Sequence, residues 1–281
     1  MTHSIEKSFI LGGSIETALS GKYELNPIAI FREAIKHTLK HFASFMPSIV
    51  ILVLVQVSIF YIALQLQVGD PITLLFNIMA QPESLNTGVL NAIMIANFSY
   101  EVISAPIYAG ICLMGMSHAA GLKTKPKHIL KGLQFTVPVI LATMMALIGQ
   151  GVAGQLFFAL SLYLTVAFSN STLLICEKRI APISALLLSL RAVNKKLIPL
   201  ITIYLVIMAL FAFSTFFYGI PMLFVLPLYF HVKGIIYRNM FGITLKIITT
   251  DNDDSEHGPE NTENTPTSTH SDNKDSDIFN A

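Results

Sequence analysis

Apolar positions in this chain gather into runs of about 20 residues, at 44–66, 90–117, 135–153, 155–176, 197–217 and 219–243. Each is long enough to cross a hydrocarbon core of roughly 30 Å as a helix, which satisfies its own backbone groups in lipid. The pattern predicts an all-α integral membrane protein with six transmembrane helices. Ahead of each odd-numbered run lies an amphipathic stretch that opens near one proline and reaches the membrane near a second: Pro27 and Pro47, Pro126 and Pro138, Pro182 and Pro199. In the first, Ile28, Phe31, Ile35, Leu39 and Phe42 recur at three- and four-residue spacing, with Arg32, Lys36 and Lys40 on another face. In the third, Ile183, Leu187, Leu190 and Val193 do the same against Arg191, Lys195 and Lys196. These read as interfacial helices, apolar side down and cations toward anionic lipid headgroups. The even-numbered runs echo one another through Pro106-Ile107-Tyr108, Ser161-Leu162-Tyr163 and Pro227-Leu228-Tyr229. Three tandem units are therefore expected, each an interfacial helix followed by a membrane hairpin.

One connection is long. Its Gly69-Asp70-Pro71 supplies an N-cap and a first-turn proline for a helix over residues 71–80, closed by Pro82. Ten residues are too few to span, so this helix should lie in the interface, with re-entry as the alternative.

Composition agrees with a membrane protein. Of 281 residues, 53% are hydrophobic and 12% charged, about half the charged share of a soluble domain, and the mean hydropathy is +0.63. All eighteen Lys and Arg fall before the first run, in the second and fourth connections, or at and beyond the end of the sixth run. That bias places both termini in the cytoplasm. Residues 251–281 hold nine acidic residues against Lys274 alone, too polar to bury a core. The expected organisation is a cytoplasmic segment with an amphipathic helix (1–43), a six-helix membrane domain (44–248) and a disordered acidic cytoplasmic tail (249–281). Cys112 and Cys176 form neither a disulfide framework nor a metal cluster.

Candidate chemistry is sparse. Asn97, Glu101, Ser104 and Tyr108 follow four-, three- and four-residue spacings and share one helical stripe, which must face the bundle or water. With no Lys or Arg expected at matching depth, Glu101 reads as a neutral group hydrogen-bonded across helices to Asn170 or Ser171, or else as a proton or cation site. Ser169-Asn170-Ser171-Thr172 forms a polar cluster of the kind that holds membrane helices together. Gly149-Gln150-Gly151-Val152-Ala153-Gly154 matches a dinucleotide fingerprint by letters, but with no strand before it the glycines suit a tight turn between helices. His37 and His41 are four apart without an accompanying ligand set and read as headgroup-facing. No cofactor, metal or nucleic-acid site is expected.

Gly21-Lys22-Tyr23, Phe31-Arg32-Glu33-Ala34, the stretch from Ala181-Pro182 to Asn194-Lys195-Lys196, and Pro227-Leu228-Tyr229 with Tyr237-Arg238-Asn239 carry a resemblance. Residues 19–243 resemble an uncharacterised group of six-helix proteobacterial inner-membrane proteins, distantly similar to the membrane domain of some glycerophosphodiester phosphodiesterases. The resemblance implies the fold and a bacterial inner-membrane location; no phosphodiesterase domain accompanies it, so that activity does not carry over. The residues then favour a non-enzymatic scaffold or envelope-maintenance factor. The alternative is a small solute or ion transporter or channel using the stripe of Asn97, Glu101 and Tyr108. Ile278 and Phe279, at the tip of the acidic tail, read either as an uncontacted terminus or as a short motif that docks in a cytoplasmic protein partner.

The charge partition makes a topology prediction. Reporter fusions at Glu83 and at Gln150 should register the extracytoplasmic side, and a cytoplasmic signal at either overturns the assignment.

Overall fold

A computed structural model of the protein describes residues 4–81 and 85–250. The acidic tail from residue 251, with Ile278 and Phe279, and the positions of Pro82 and Glu83 lie outside the described residues.

The first long helix, α2, runs unbroken from Pro27 to Val68. It begins where the Asn26 side chain accepts hydrogen bonds from the amides of Ile28 and Ala29, with Pro27 supplying the fixed φ of a first turn. The boundary expected at residue 43 falls inside it. Pro47 removes one backbone hydrogen bond without ending the helix, so the amphipathic stretch continues the membrane segment instead of forming a separate helix. The helix α3 (Pro71–Ala80) follows the expected cap: Asp70 accepts from the amides of Ile72 and Thr73 and from the Thr73 hydroxyl. Those bonds, the Thr73 hydroxyl first, hold the Asp70 carboxyl below the usual carboxylate range. Leu74 of α3 packs with Phe60 and Val68 around Leu64.

The central helix is α4 (Thr87–Ala119). It lies antiparallel to α2 through Leu64–Ala96, Phe60–Tyr100, Gln56–Ser104 and His41–His118. It lies parallel to α10 (Met222–Phe241) through Tyr108–Tyr229 and Ala119–Arg238. Small residues permit these contacts: a Cβ on Gly115 would stand 2.6 Å from the Phe230 carbonyl oxygen, and one on Gly234 would stand 2.6 Å from that of Gly115. Against another part of α4 lies Pro126–Phe135, a 3-10 helix where an amphipathic α-helix was expected. There Gly132 meets the Pro106 carbonyl and Gly110 meets that of Ile129, backbone on backbone.

The remaining helices surround this centre. The 3-10 helix leads into α5 (Thr136–Leu156), which includes the whole glycine-rich stretch; the turn expected there is Phe157, and α6 (Phe158–Ala167) follows. The fourth expected span is broken at residues 168–170 and resumes as α7 (Ser171–Lys178). Then come α8 (Pro182–Lys195) and α9 (Leu197–Phe216). Near the chain start, α1 (Ile15–Ser20) precedes Tyr23, whose hydroxyl donates to the Ala192 carbonyl at 2.7 Å. Burial pushes that phenol up to about 12. Five stretches, Pro27–Val68, Thr87–Ala119, Pro126–Leu156, Phe158–Lys178 and Leu197–Phe216, are long and apolar enough to cross a membrane. The chain is an all-α membrane protein. Helix α10 also has 20 residues, but His231, Lys233 and Arg238 interrupt its apolar surface, and most of it is enclosed by its neighbours.

Residues 11–243 form this helical unit. A second unit takes in residues 4–10 and 244–250, where β1 (Ser4–Leu11) and β2 (Ile243–Thr250) make a two-stranded sheet. The membrane helix therefore stops at Phe241, and residues 243–248 belong to a strand. Gly242, at φ +68°, ends the helix in a backbone conformation that favours glycine.

Replacing Gly132 or Gly115 by Leu should lower thermal stability in detergent by more than about 1–3 kcal/mol, since backbone rather than a movable side chain occupies the space. Gly151→Ala, in the interior of α5 with open space at its Cβ, should leave stability unchanged or raise it by up to about 1 kcal/mol.

Candidate functional site

The break between α6 and α7 comes where Ser169, Asn170, Ser171 and Thr172 offer the backbone alternative partners. The Ser171 hydroxyl donates to the Phe168 carbonyl at 2.7 Å. From α8, Ser189 accepts from the Asn170 amide at 3.3 Å and donates to the Ala167 carbonyl at 2.6 Å. A fully buried hydroxyl thus satisfies groups that the interrupted helix frees. In and just past the break, Ser169, Ser171 and Thr172 line a cavity of about 440 Å³ between α2, α4, α5, α6, α7, α9 and α10.

Charge enters this cavity from two helices. Glu101 of α4 lines it and accepts from the Asn97 amide at 3.2 Å. One turn along, Ser104 accepts from Gln56 of α2 at 3.2 Å. Two turns from Glu101 the Tyr108 hydroxyl lies 2.8 Å from that of Tyr229 and accepts from the Lys233 ammonium at 2.8 Å. Lys233 is only 3% exposed, and its nitrogen stands 4.7 Å from the centre of the Tyr108 ring, a cation–π contact. Among the described residues no carboxylate pairs with it. Tyr204 of α9 presents a buried phenol to the same space.

Against the expected candidate set, Glu101, Ser104, Tyr108 and Ser171 line this cavity. Asn97 sits outside the lining, exposed, and holds Glu101 from one turn back on the same helix. Asn170 is fully buried and turned away, its amide 3.8 Å from the Met240 sulfur, so the bond expected between Glu101 and Asn170 or Ser171 is replaced by the one to Asn97. Lys233, counted from the sequence at the end of the last run, is deep in the protein and shares the cavity with Glu101. Tyr229 and Tyr204 were equally missed. A lysine eleven residues into an apolar helix was the one available signal.

A second polar group lies at the end of the bundle that carries Lys40 and Lys123. The Pro227 carbonyl can only accept, so His231 Nδ1 donates to it at 2.8 Å. His231 Nε2 then accepts from His118 Nδ1 at 2.8 Å, and His118 Nε2 accepts from the Thr124 hydroxyl at 2.8 Å. The two imidazoles are 0% and 1% exposed. His41 stacks on His118 with ring centres 4.1 Å apart, and His37 lies parallel to His231 at 6.2 Å. His37 and His41 are themselves half-buried, each with one ring contact to the buried pair. Among the described residues no set of three or more His, Cys, Asp or Glu is arranged to hold a metal ion. Beside them Arg238 grips Glu33 with both guanidinium nitrogens, at 2.6 and 3.0 Å, and donates to the Ala119 carbonyl at 2.8 Å. One side chain so joins α2, the C-terminus of α4 and α10.

No family model, curated protein or solved structure matches this chain.

Thr124→Val keeps the shape and removes the donor on His118 Nε2. The orphaned buried nitrogen should lower stability by about 1–3 kcal/mol, read as a reduced melting temperature in detergent; an unchanged melt would show that this chain of bonds is absent in solution.

Proposed function

We propose that this protein is a small membrane carrier or channel that takes a polar solute or ion through the cavity between Glu101 and Lys233. The observation that carries this reading is the cavity itself. Its space reaches a carboxylate, an ammonium and several hydroxyls in the middle of apolar helices, and polar groups held there are costly unless used. A scaffold or envelope-maintenance factor, which the sequence favoured, has no need of such a space and would be served by a sealed bundle. The function proposed is non-enzymatic.

The topology proposed with it is six crossings in a bacterial inner membrane, with both termini cytoplasmic. Two strands in one sheet lie on one side of a membrane, so the pairing of β1 with β2 supports an even number of crossings. Helix α10 supplies the sixth, its polar residues turned to α2 and α4 and away from lipid. Lys36 and Lys40 would face anionic headgroups, and Ile278 and Phe279 remain the proposed contact for a cytoplasmic partner. The family resemblance fits this placement.

Thiol accessibility tests the carrier reading. In a Cys112→Ala, Cys176→Ala background, a cysteine in place of Thr172 should react with a membrane-impermeant methanethiosulfonate applied to one side of sealed vesicles. A folded, inserted variant that resists reagent from both sides would return the protein to the scaffold reading.

A further inference from the structure

Among the described residues, the two ionisable groups of the cavity differ from the ion pairs that join or flank helices. Where a charge is structural it is paired: Arg238 holds Glu33, and Lys178 stands 2.9 Å from Glu177. Lys233 and Glu101 have no ionic partner among the described residues, although one is buried and the other lines the same space. They do not neutralise each other, because the Lys233 nitrogen is held on the Tyr108 hydroxyl. Glu101 lies seven residues before Tyr108 on α4, about 10 Å back along the helix axis. A buried ammonium without a counter-charge is destabilising, and an anion brought by a ligand would offset that.

The hydrogen-bond inventory points the same way. Lys233 has three N–H donors; Tyr108 takes one and the Cys112 sulfur lies within reach of another, which leaves one for a ligand. Tyr108 and Tyr229 carry two phenolic protons across a single O···O contact, leaving the second for a further acceptor. This end of the cavity is a set of donors awaiting an oxyanion. At the other end Glu101 has accepted one bond, from Asn97, and its carboxylate can accept about three more. Ala105, Ala142, Ala146 and Ile207 add apolar lining suited to methylene groups.

Resting on the cavity as the working site, we propose that its ligand is a zwitterion with a primary amine and an oxyanion, the oxyanion seated on Lys233 with the Tyr108–Tyr229 pair and the amine on Glu101. The same chemistry occurs in a free amino acid or phosphoethanolamine and in the headgroup of an aminophospholipid.

The full chain in nanodiscs separates these cases. In one arm, phosphoethanolamine is titrated into protein in phosphatidylcholine discs and followed by calorimetry. In the other, native mass spectrometry reads which lipid stays bound from discs of phosphatidylethanolamine, phosphatidylglycerol or phosphatidylcholine. Binding in the first arm identifies a soluble zwitterion; selective retention of phosphatidylethanolamine in the second identifies a lipid. In whichever arm binds, Lys233→Gln and Glu101→Gln should each weaken it by about tenfold or more, and Lys233→Arg should restore part of it. Phosphatidylglycerol, an oxyanion without an amine, should be indifferent to Glu101→Gln. Ala146→Phe fills the cavity with both charges in place and should abolish binding, which keeps the test open if Lys233→Gln fails to fold. Binding that survives Ala146→Phe or Lys233→Gln, or no binding in either arm, overturns the assignment. If the cysteine at position 172 reacts while no zwitterion binds, the carrier reading stands and only the ligand class falls; if it does not react, both fall.

Discussion

The structure depends on how closely α4 lets other backbones approach. Lipid tails are as apolar as leucine, so helices in a membrane gain little from burying apolar area against each other and associate through contact and hydrogen bonding. Helix α4 answers with small residues: Ala105, Ala109, Gly110, Cys112, Gly115, Ser117 and Ala119 are all buried. Gly110 meets Gly132 of the 3-10 helix, and Gly115 meets Gly234 of α10. At such separations the longer side chains of α4 and α10 are forced sideways, and the polar groups gather on the flanks of the contact.

On one flank Tyr108, Tyr229 and Lys233 meet at the cavity; on another His118 and His231 join in a bonded chain to Thr124. Phe230 packs against Tyr108 and against Phe45, and Phe45 in turn packs on both histidines. The two groups differ in kind. Every nitrogen of His118 and His231 has a protein partner, so that chain is closed within the protein. The tyrosine and lysine group keeps unused donors facing open space, which is why a ligand is argued for there.

The arginine at the end of α10 locks the same geometry. Arg238 bonds Glu33 of α2 and the terminal carbonyl of α4, and its own carbonyl accepts from the Gly13 amide. Glu33 and Arg238 join α2 to α10, and Tyr23 joins the segment after α1 to Ala192 of α8. These residues are joints between elements distant in sequence.

Patterns within a few turns of chain were legible without coordinates. Helical character, the cap at Asp70, the Pro27 start of α2 and the shared stripe of Glu101, Ser104 and Tyr108 follow from spacing, because neighbours at three and four residues settle them. What spacing could not decide was the continuity of α2 through Pro47, the break at Asn170, and the strands at Ser4–Leu11 and Ile243–Thr250. Each depends on a partner elsewhere, such as Ser189 satisfying the broken helix or one strand pairing with the other. The site divides the same way. Glu101 stood out as a lone carboxylate in an apolar run, whereas Lys233 looked like the end of a helix and His37 and His41 like surface residues. Only the packing of α10 against α4 and α2, set by glycines far apart in the chain, put that lysine in the carboxylate's cavity and those histidines against His118 and His231.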